Sequence, residues 1–238
     1  SYNMALDITA YFRDIRDLAG TRSEEITLFG GSASYNRLEN SDFAYVRGLV
    51  LSLSMIETNG FSASLDYTFQ IAKGSASDPQ QARNAIAGGS LPEIQLTPLD
   101  WDQRNTVNMS LAYDRANWGI SGIGQFGSGL PYTPLSTEDI SSLVLNSGKK
   151  PLTWNVNIKG YFIPRDGLRL FIRAENIFDK LNTYTVYDDS GVADFTRWEN
   201  IAKSQNTGEP INSISKWFLN ETFYSNPRRI ELGLSYVF

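Results

Sequence analysis

From Phe61 to Ile71 every odd-numbered residue is apolar or aromatic, while the even positions hold Ser62, Ser64, Asp66, Thr68 and Gln70. This period of two predicts a strand with one apolar and one polar face. The same alternation sets Val107, Met109, Leu111 and Tyr113 against Thr106, Asn108 and Ser110, and Leu152, Trp154, Val156 and Ile158 against Thr153, Asn155, Asn157 and Lys159. It returns in Leu168, Leu170, Ile172 and Ala174, and again in Ile230, Leu232, Leu234, Tyr236 and Phe238. Weaker copies run through Leu6 to Phe12, Leu49 to Met55 and Trp118 to Phe126, so eight strands are predicted.

Two kinds of connection alternate between these strands. Glu57 to Gly60, Asp114 to Asn117 and Pro164 to Gly167 are rich in residues that favour tight hairpin turns. Four connections are expected to be long, between Ile15 and Phe43, Ala72 and Arg104, Gly127 and Leu152, and Phe178 and Arg228. The pattern predicts an antiparallel meander with its turns at one end and its loops at the other. No stretch with a helical period of 3.6 interrupts it, and no linker divides residues 1–238, which read as a single unit.

Composition narrows the classes. The chain has 238 residues, 41% of them hydrophobic and 20% charged, which excludes a disordered or collagen-like chain. No run approaches the ~18 apolar residues of a membrane helix, but a membrane barrel crosses with alternating strands and needs no such run. His and Cys are both absent, which removes imidazole bases, thiolate nucleophiles, disulfides and Cys/His zinc sites. A net charge of -5 argues against nucleic acid as the main partner. The first residues show no basic stretch leading into an apolar secretion-signal segment.

Alternation by itself fits a soluble ligand-binding barrel as well as a membrane one. Three details favour lipid on the apolar face. The central polar positions are mainly Ser, Thr, Asn and Gln, where a soluble barrel's surface would carry more Lys and Glu. Aromatic residues recur eight positions apart within single strands, as Phe61 and Phe69, Trp118 and Phe126, and Trp154 and Phe162. That spacing crosses roughly the height of an apolar band and sets one ring at each interface. Finally, the chain stops on Phe238, with Tyr236 and Leu234 in the same outward parity. The fold class expected is therefore all-β, an antiparallel transmembrane β-barrel meander.

Several motifs carry a family resemblance. Leu232 to Phe238, L-G-L-S-Y-V-F, resembles the C-terminal signature of outer-membrane barrels that the barrel assembly machinery recognises, with Tyr236 and Phe238 as its aromatic positions. Asn176-Ile177-Phe178-Asp179 resembles the N-L-F-D motif in the penultimate strand of TonB-dependent receptors. Gly127 to Pro134 resembles their S-G-x-P-Y-T segment, and Asp100 to Asn105 resembles their D-x-R-H segment, with Asn105 in place of the usual His. Val46-Arg47-Gly48-Leu49 is similar to their V-x-G-x-E segment without the acid. The resemblance implies that the eight strands are the C-terminal part of a larger, 22-strand barrel. No plug-like segment precedes Ala5, so the expectation is a C-terminal portion of a longer polypeptide. The implied function is import of a scarce ligand such as a siderophore, vitamin, glycan or peptide across the outer membrane of a Gram-negative bacterium, with turns periplasmic and long loops extracellular. Implied partners are outer-membrane lipid, the remaining barrel strands and plug domain, TonB through the plug, the assembly machinery and a surface lipoprotein. The alternative is a self-contained eight-strand barrel that acts as an anchor or adhesin.

Asp66, Lys159, Arg169, Arg173 and Glu175 share the polar parity and are expected to line the lumen and face the plug. An ion-pair network across neighbouring strands explains them equally well. Trp101, Tyr132, Trp198 and Trp217 fall in the long loops as candidates for gripping substrate or for packing the loops together. Asp100 with Asp102, and Asp188 with Asp189, offer too few oxygens for a calcium site and read as solvated loop acids. Scattered acids give no paired-carboxylate signal, so no enzyme, cofactor or metal is expected.

Overall fold

The computed structural model describes residues 3–78, 80, 96–135, 144–206 and 213–236; side chains 22–25 are not described. The strands, in chain order, are β1 (Met4–Leu28), β2 (Ala33–Thr58), β3 (Phe61–Gly74), β4 (Thr97–Pro98), β5 (Asn105–Asp114), β6 (Trp118–Gly127), β7 (Pro131–Tyr132), β8 (Gly148–Lys149), β9 (Thr153–Arg165), β10 (Leu168–Glu175) and β11 (Arg229–Tyr236). The long strands form one antiparallel sheet in the order β1-β2-β3-β5-β6-β9-β10-β11, while β4 pairs with the end of β3 and, among the described residues, β7 pairs with β8 alone. The sheet is open. Among the described residues the outer sides of β1 and β11 are edges.

The tight turns form where the sequence predicts them. Asn59 and Gly60 both have positive φ, 55° and 85°, which is the twist a two-residue antiparallel hairpin demands. Asp166 and Gly167 join β9 to β10, with Gly167 at φ 80°.

The connection expected between Ile15 and Phe43 is not a loop. β1 and β2 continue as a paired ribbon through this stretch and meet at a turn over Phe29–Gly31. At ~3.3 Å per residue, the 25 residues of β1 extend about 80 Å, far beyond an apolar band of about 30 Å. The sequence here carries charged residues at both parities, Asp17, Arg22, Glu24 and Glu25 among them, so a period-two reading did not see the ribbon. Register shifts at Ile15/Leu18, Leu18/Ala19 and Thr21/Glu25 break the rhythm further. The last long loop also contains structure that periodicity missed. Helices Arg197–Gln205 and Ile214–Phe218 are capped by the Thr196 and Ser213 side chains, and they are too short for a period of 3.6 to stand out.

The register makes the two faces continuous. Cross-strand rows such as Ser54, Ser64 and Ser110, or Ser52, Asp66, Asn108, Gln125 and Asn155, lie on one face. Rows such as Leu53, Leu65 and Met109 lie on the other. Ser64 Oγ and Ser110 Oγ are 2.7 Å apart, so the polar face satisfies itself across strands. On the apolar face the side chains are exposed, Leu232 by 81%, Phe12 by 66% and Leu6 by 65%. The buried apolar cluster is small and lies on the opposite, polar face. There Leu99 folds over Ala44, Val46 and Ala72, and its N–H donates to the Ala72 carbonyl at 3.1 Å.

Candidate functional site

Loops reach the end of the sheet through a set of hydrogen-bond clamps, and the sequence motifs supply most of them. Asp102 is fully buried; it accepts the Ala72 N–H at 2.8 Å and the Arg104 Nε–H at 2.7 Å. It thus closes the backbone of β3 and fixes the path into β5. Asn176, at φ 50°, donates from Nδ2 to the carbonyls of Lys180 and Asn226, and its own N–H donates to Asn157 Oδ1. Asp179 Oδ1 accepts the Arg228 N–H. The N-x-F-D segment therefore ties the loop after β10 to the approach to β11. Asn182 plays the part of a missing strand, accepting the Trp154 N–H at 2.9 Å and donating to the Trp154 carbonyl at 2.8 Å.

Above these clamps is a cleft of about 290 Å³ lined by Asp100, Tyr132, Thr133, Asn146, Lys150 and Asp188 among others. Tyr132 holds its walls together. A Cβ on Gly148, the register partner of Tyr132 on β8, would lie 2.4 Å from the Tyr132 ring, and one on Gly191 would lie 2.4 Å from its hydroxyl, so a strand and a loop approach the ring where only glycine fits. Asn146 is buried, donating to Asp100 Oδ1 at 2.7 Å and to the Pro98 carbonyl at 2.8 Å. Burial pushes the Asp188 carboxyl above its ordinary value; Lys150 opposes this and Asp189 adds to it. Burial also lowers the Lys149 ammonium below its ordinary value. Lys150 Nζ donates to the Tyr184 carbonyl at 3.0 Å.

The predicted lumenal charges divide into a cluster and an outlier. Lys159 pairs in register with Arg173, and Arg173 with Glu231, whose carboxylate is 3.4 Å from the guanidinium. Glu175 lies opposite Arg229, which also pairs with Glu231. Nearer the turns, the Arg169 guanidinium stacks 4.0 Å from the centroid of the Tyr161 ring, and the Tyr161 hydroxyl donates to Asp114 Oδ1 at 2.8 Å. Asp66 stands apart on β3, between Ser52 and Asn108 and three strand positions from β9. Strand parity would have found Tyr161, Asp114 and Glu231 as members of this cluster.

The four loop aromatics do not converge. Tyr132 lines the cleft as a clasp, while Trp101 does not line it. Trp198, 58% exposed, and Trp217, 84% exposed, sit on the two short helices, which Ser215 joins by donating to Glu199 Oε1 at 2.7 Å. Asn146 was missed by sequence reading, and its only trace is an Asn-Ser-Gly turn in which it takes φ 55°. The loop acids are spoken for in different ways. Asp102 is buried in its ion pair rather than solvated, and Asp189 accepts from Thr196 Oγ1 and the Arg197 N–H at the start of a helix. Among the described residues no group of three or more metal-ligating side chains comes together. Tyr236 ends β11 beneath the Arg165 guanidinium, 5.7 Å from its ring centroid, and Phe238 lies outside the described residues.

No protein-family model matches the chain, and no curated protein matches it. Solved structures do. The outer-membrane transporter YddB from Escherichia coli is 11% identical with a TM-score of 0.62, over 99% of this chain and 30% of that one. The pyoverdine-bound FpvA of Pseudomonas aeruginosa is 11% identical with a TM-score of 0.59, over 98% of this chain and 25% of that one. The FrpB iron transporter from Neisseria meningitidis is 16% identical with a TM-score of 0.55, over 98% of this chain and 29% of that one. This chain thus spans between 25% and 30% of the length of these proteins. The open antiparallel sheet, with its looped end clamped and its apolar face outward, has the fold of the barrel portion of TonB-dependent outer-membrane receptors.

Proposed function

We propose that residues 1–238 form eight adjacent C-terminal strands in the 22-strand wall of a TonB-dependent transporter that imports a scarce ligand across the outer membrane of a Gram-negative bacterium. The observation that carries this reading is the continuous apolar face across all eight long strands, backed by a polar face of hydroxyls, amides and paired charges. A soluble protein would bury such a face, whereas a lipid-facing wall exposes it. The open edges fit the same reading, because unpaired backbone groups in hydrocarbon have no water to bind.

Within that wall, Lys159, Arg169, Arg173 and Glu175 would meet the plug from one side and Asp66 from another. The cleft around Tyr132, in loops placed extracellularly, is the place for first contact with ligand, and siderophore, vitamin, glycan and peptide all remain candidates. Plug, TonB, assembly machinery and a surface lipoprotein are the partners of this reading, and it assigns the chain no catalysis. Fractionation of cells expressing the intact polypeptide tests it. Recovery in the outer membrane, with migration that changes on heating, is expected; recovery in the soluble or inner-membrane fraction would overturn it.

A further inference from the structure

The outward face carries two cations, on β2 and β3, where its other positions are apolar or neutral save for the acid Asp14 opposite Tyr45. From Met4 to Phe12, Arg47 to Met55, Phe61 to Lys73, and along the outward positions of β5, β6, β9 from Trp154 to Phe162, β10 and β11, the charged residues of that parity are Arg47 and Lys73. Arg47 pairs in register with Phe12 on one side and Ile71 on the other, and Tyr45 pairs with Lys73. Arg47 and Lys73 are therefore diagonal neighbours on one face, roughly 7–8 Å apart. Their level is informative. Leu49 pairs with Phe69, the loop-side aromatic of β3, so Arg47 stands one outward position beyond that ring and Lys73 two.

Among the described residues neither cation has an ion pair, side-chain hydrogen bond or ring contact. The nearest outward acid, Asp14 opposite Tyr45, is already held by Arg16 at 2.8 Å. Three arginines on the polar face or at its turns differ, for Arg165 and Arg169 lie over tyrosine rings and Arg173 meets Glu231. A guanidinium between Phe12 and Ile71 requires an anion or water, and at the boundary of an apolar band the available anions belong to lipid headgroups.

We infer that Arg47 and Lys73 together bind a phosphate on the headgroup of an outer-leaflet lipid. Tyr45 and Phe12, whose rings stack with centroids 6.3 Å apart, flank the site and seat it at the interface. This rests on the membrane reading proposed above.

The test uses the intact polypeptide purified in detergent, with a bis-phosphorylated glycolipid, the same lipid dephosphorylated, and inorganic phosphate as probes, read by native mass spectrometry. The phosphorylated lipid should be retained and the other two should not. Arg47→Gln with Lys73→Gln should weaken retention at least tenfold, Arg47→Lys with Lys73→Arg should restore most of it, and Arg13→Gln, of the opposite parity, should leave it unchanged. Undiminished retention by the double Gln variant, or equal binding of inorganic phosphate, would overturn the inference. Outer-membrane recovery and heat-modifiable migration of each variant are scored in parallel, so failure of the membrane reading is seen separately from failure of the lipid site.

Discussion

Asp102 is fully buried, and its two partners show why the chain keeps it there. Alanine at this position would leave the Ala72 N–H and the Arg104 guanidinium without their acceptor. Losing one member of a buried pair costs about 3–5 kcal/mol, and because Arg104 is partly solvated the lower end applies. Asp102→Ala should therefore unfold at clearly lower temperature or denaturant, while Asp102→Asn, which keeps an acceptor for Ala72, should lose less. Midpoints for both variants equal to that of the unsubstituted protein would show that the clamp adds nothing. Asp188 gives a pH dependence. Its folded-state pKa is raised by burial, so the folded loops bind the proton more tightly than the unfolded chain. Packing around the Tyr132 cleft should be firmest below the ordinary Asp value and should weaken as pH rises through the raised one. Amide exchange in the 184–192 segment measures this, and Asp188→Asn should flatten the profile.

At the scale of the strand, side-chain parity decides what each residue touches. Cysteines at Leu65, Leu111, Val156 and Leu232 should react with lipophilic probes in membranes, and cysteines at Ser64, Ser110, Asn157 and Glu231 should not. Labelling of the second set instead would reverse the register and the membrane assignment together. The β1–β2 ribbon obeys a different rule beyond Ile15. An isolated two-stranded hairpin has little stability of its own, so its backbone should exchange faster than the same strands below Tyr45. Hydrogen exchange resolved by segment checks this, with equal protection along both strands as the contrary result.

For the whole molecule, the edges dominate. β1 offers its free side along an apolar register from Met4 to Phe12, and β11 does so from Ile230 to Tyr236. Eight strands closed on themselves enclose only a side-chain-filled interior, which leaves no room for a plug. Residues 1–238 refolded alone are therefore expected to associate or remain protease-sensitive, because neither edge finds its neighbour. A protease-resistant, heat-modifiable monomer would favour the self-contained barrel instead. Removing Phe238, which lies outside the described residues, is expected to lower assembly more than altering Val237; equal yields would remove the C-terminus as an assembly signal.

What the sequence determined by itself was everything that repeats at short range. Period-two alternation placed the long strands, Asn59-Gly60 and Asp166-Gly167 announced their turns, and parity named the two faces, because each depends only on residues a few positions apart. Tertiary structure decided what depends on partners distant in the chain. The β1–β2 ribbon exists through backbone pairing in a stretch whose residues do not alternate. Arg173 meets Glu231 across 58 positions and Asn146 meets Pro98 across 48, contacts that no local pattern encodes. Tyr132 became a clasp rather than an open platform because Gly148, its partner on β8, and Gly191, from a separate loop, both press on its ring. Arg47 is an ordinary charge in the sequence, and only the register across β1, β2 and β3 set it between Phe12 and Ile71 on the outward apolar face.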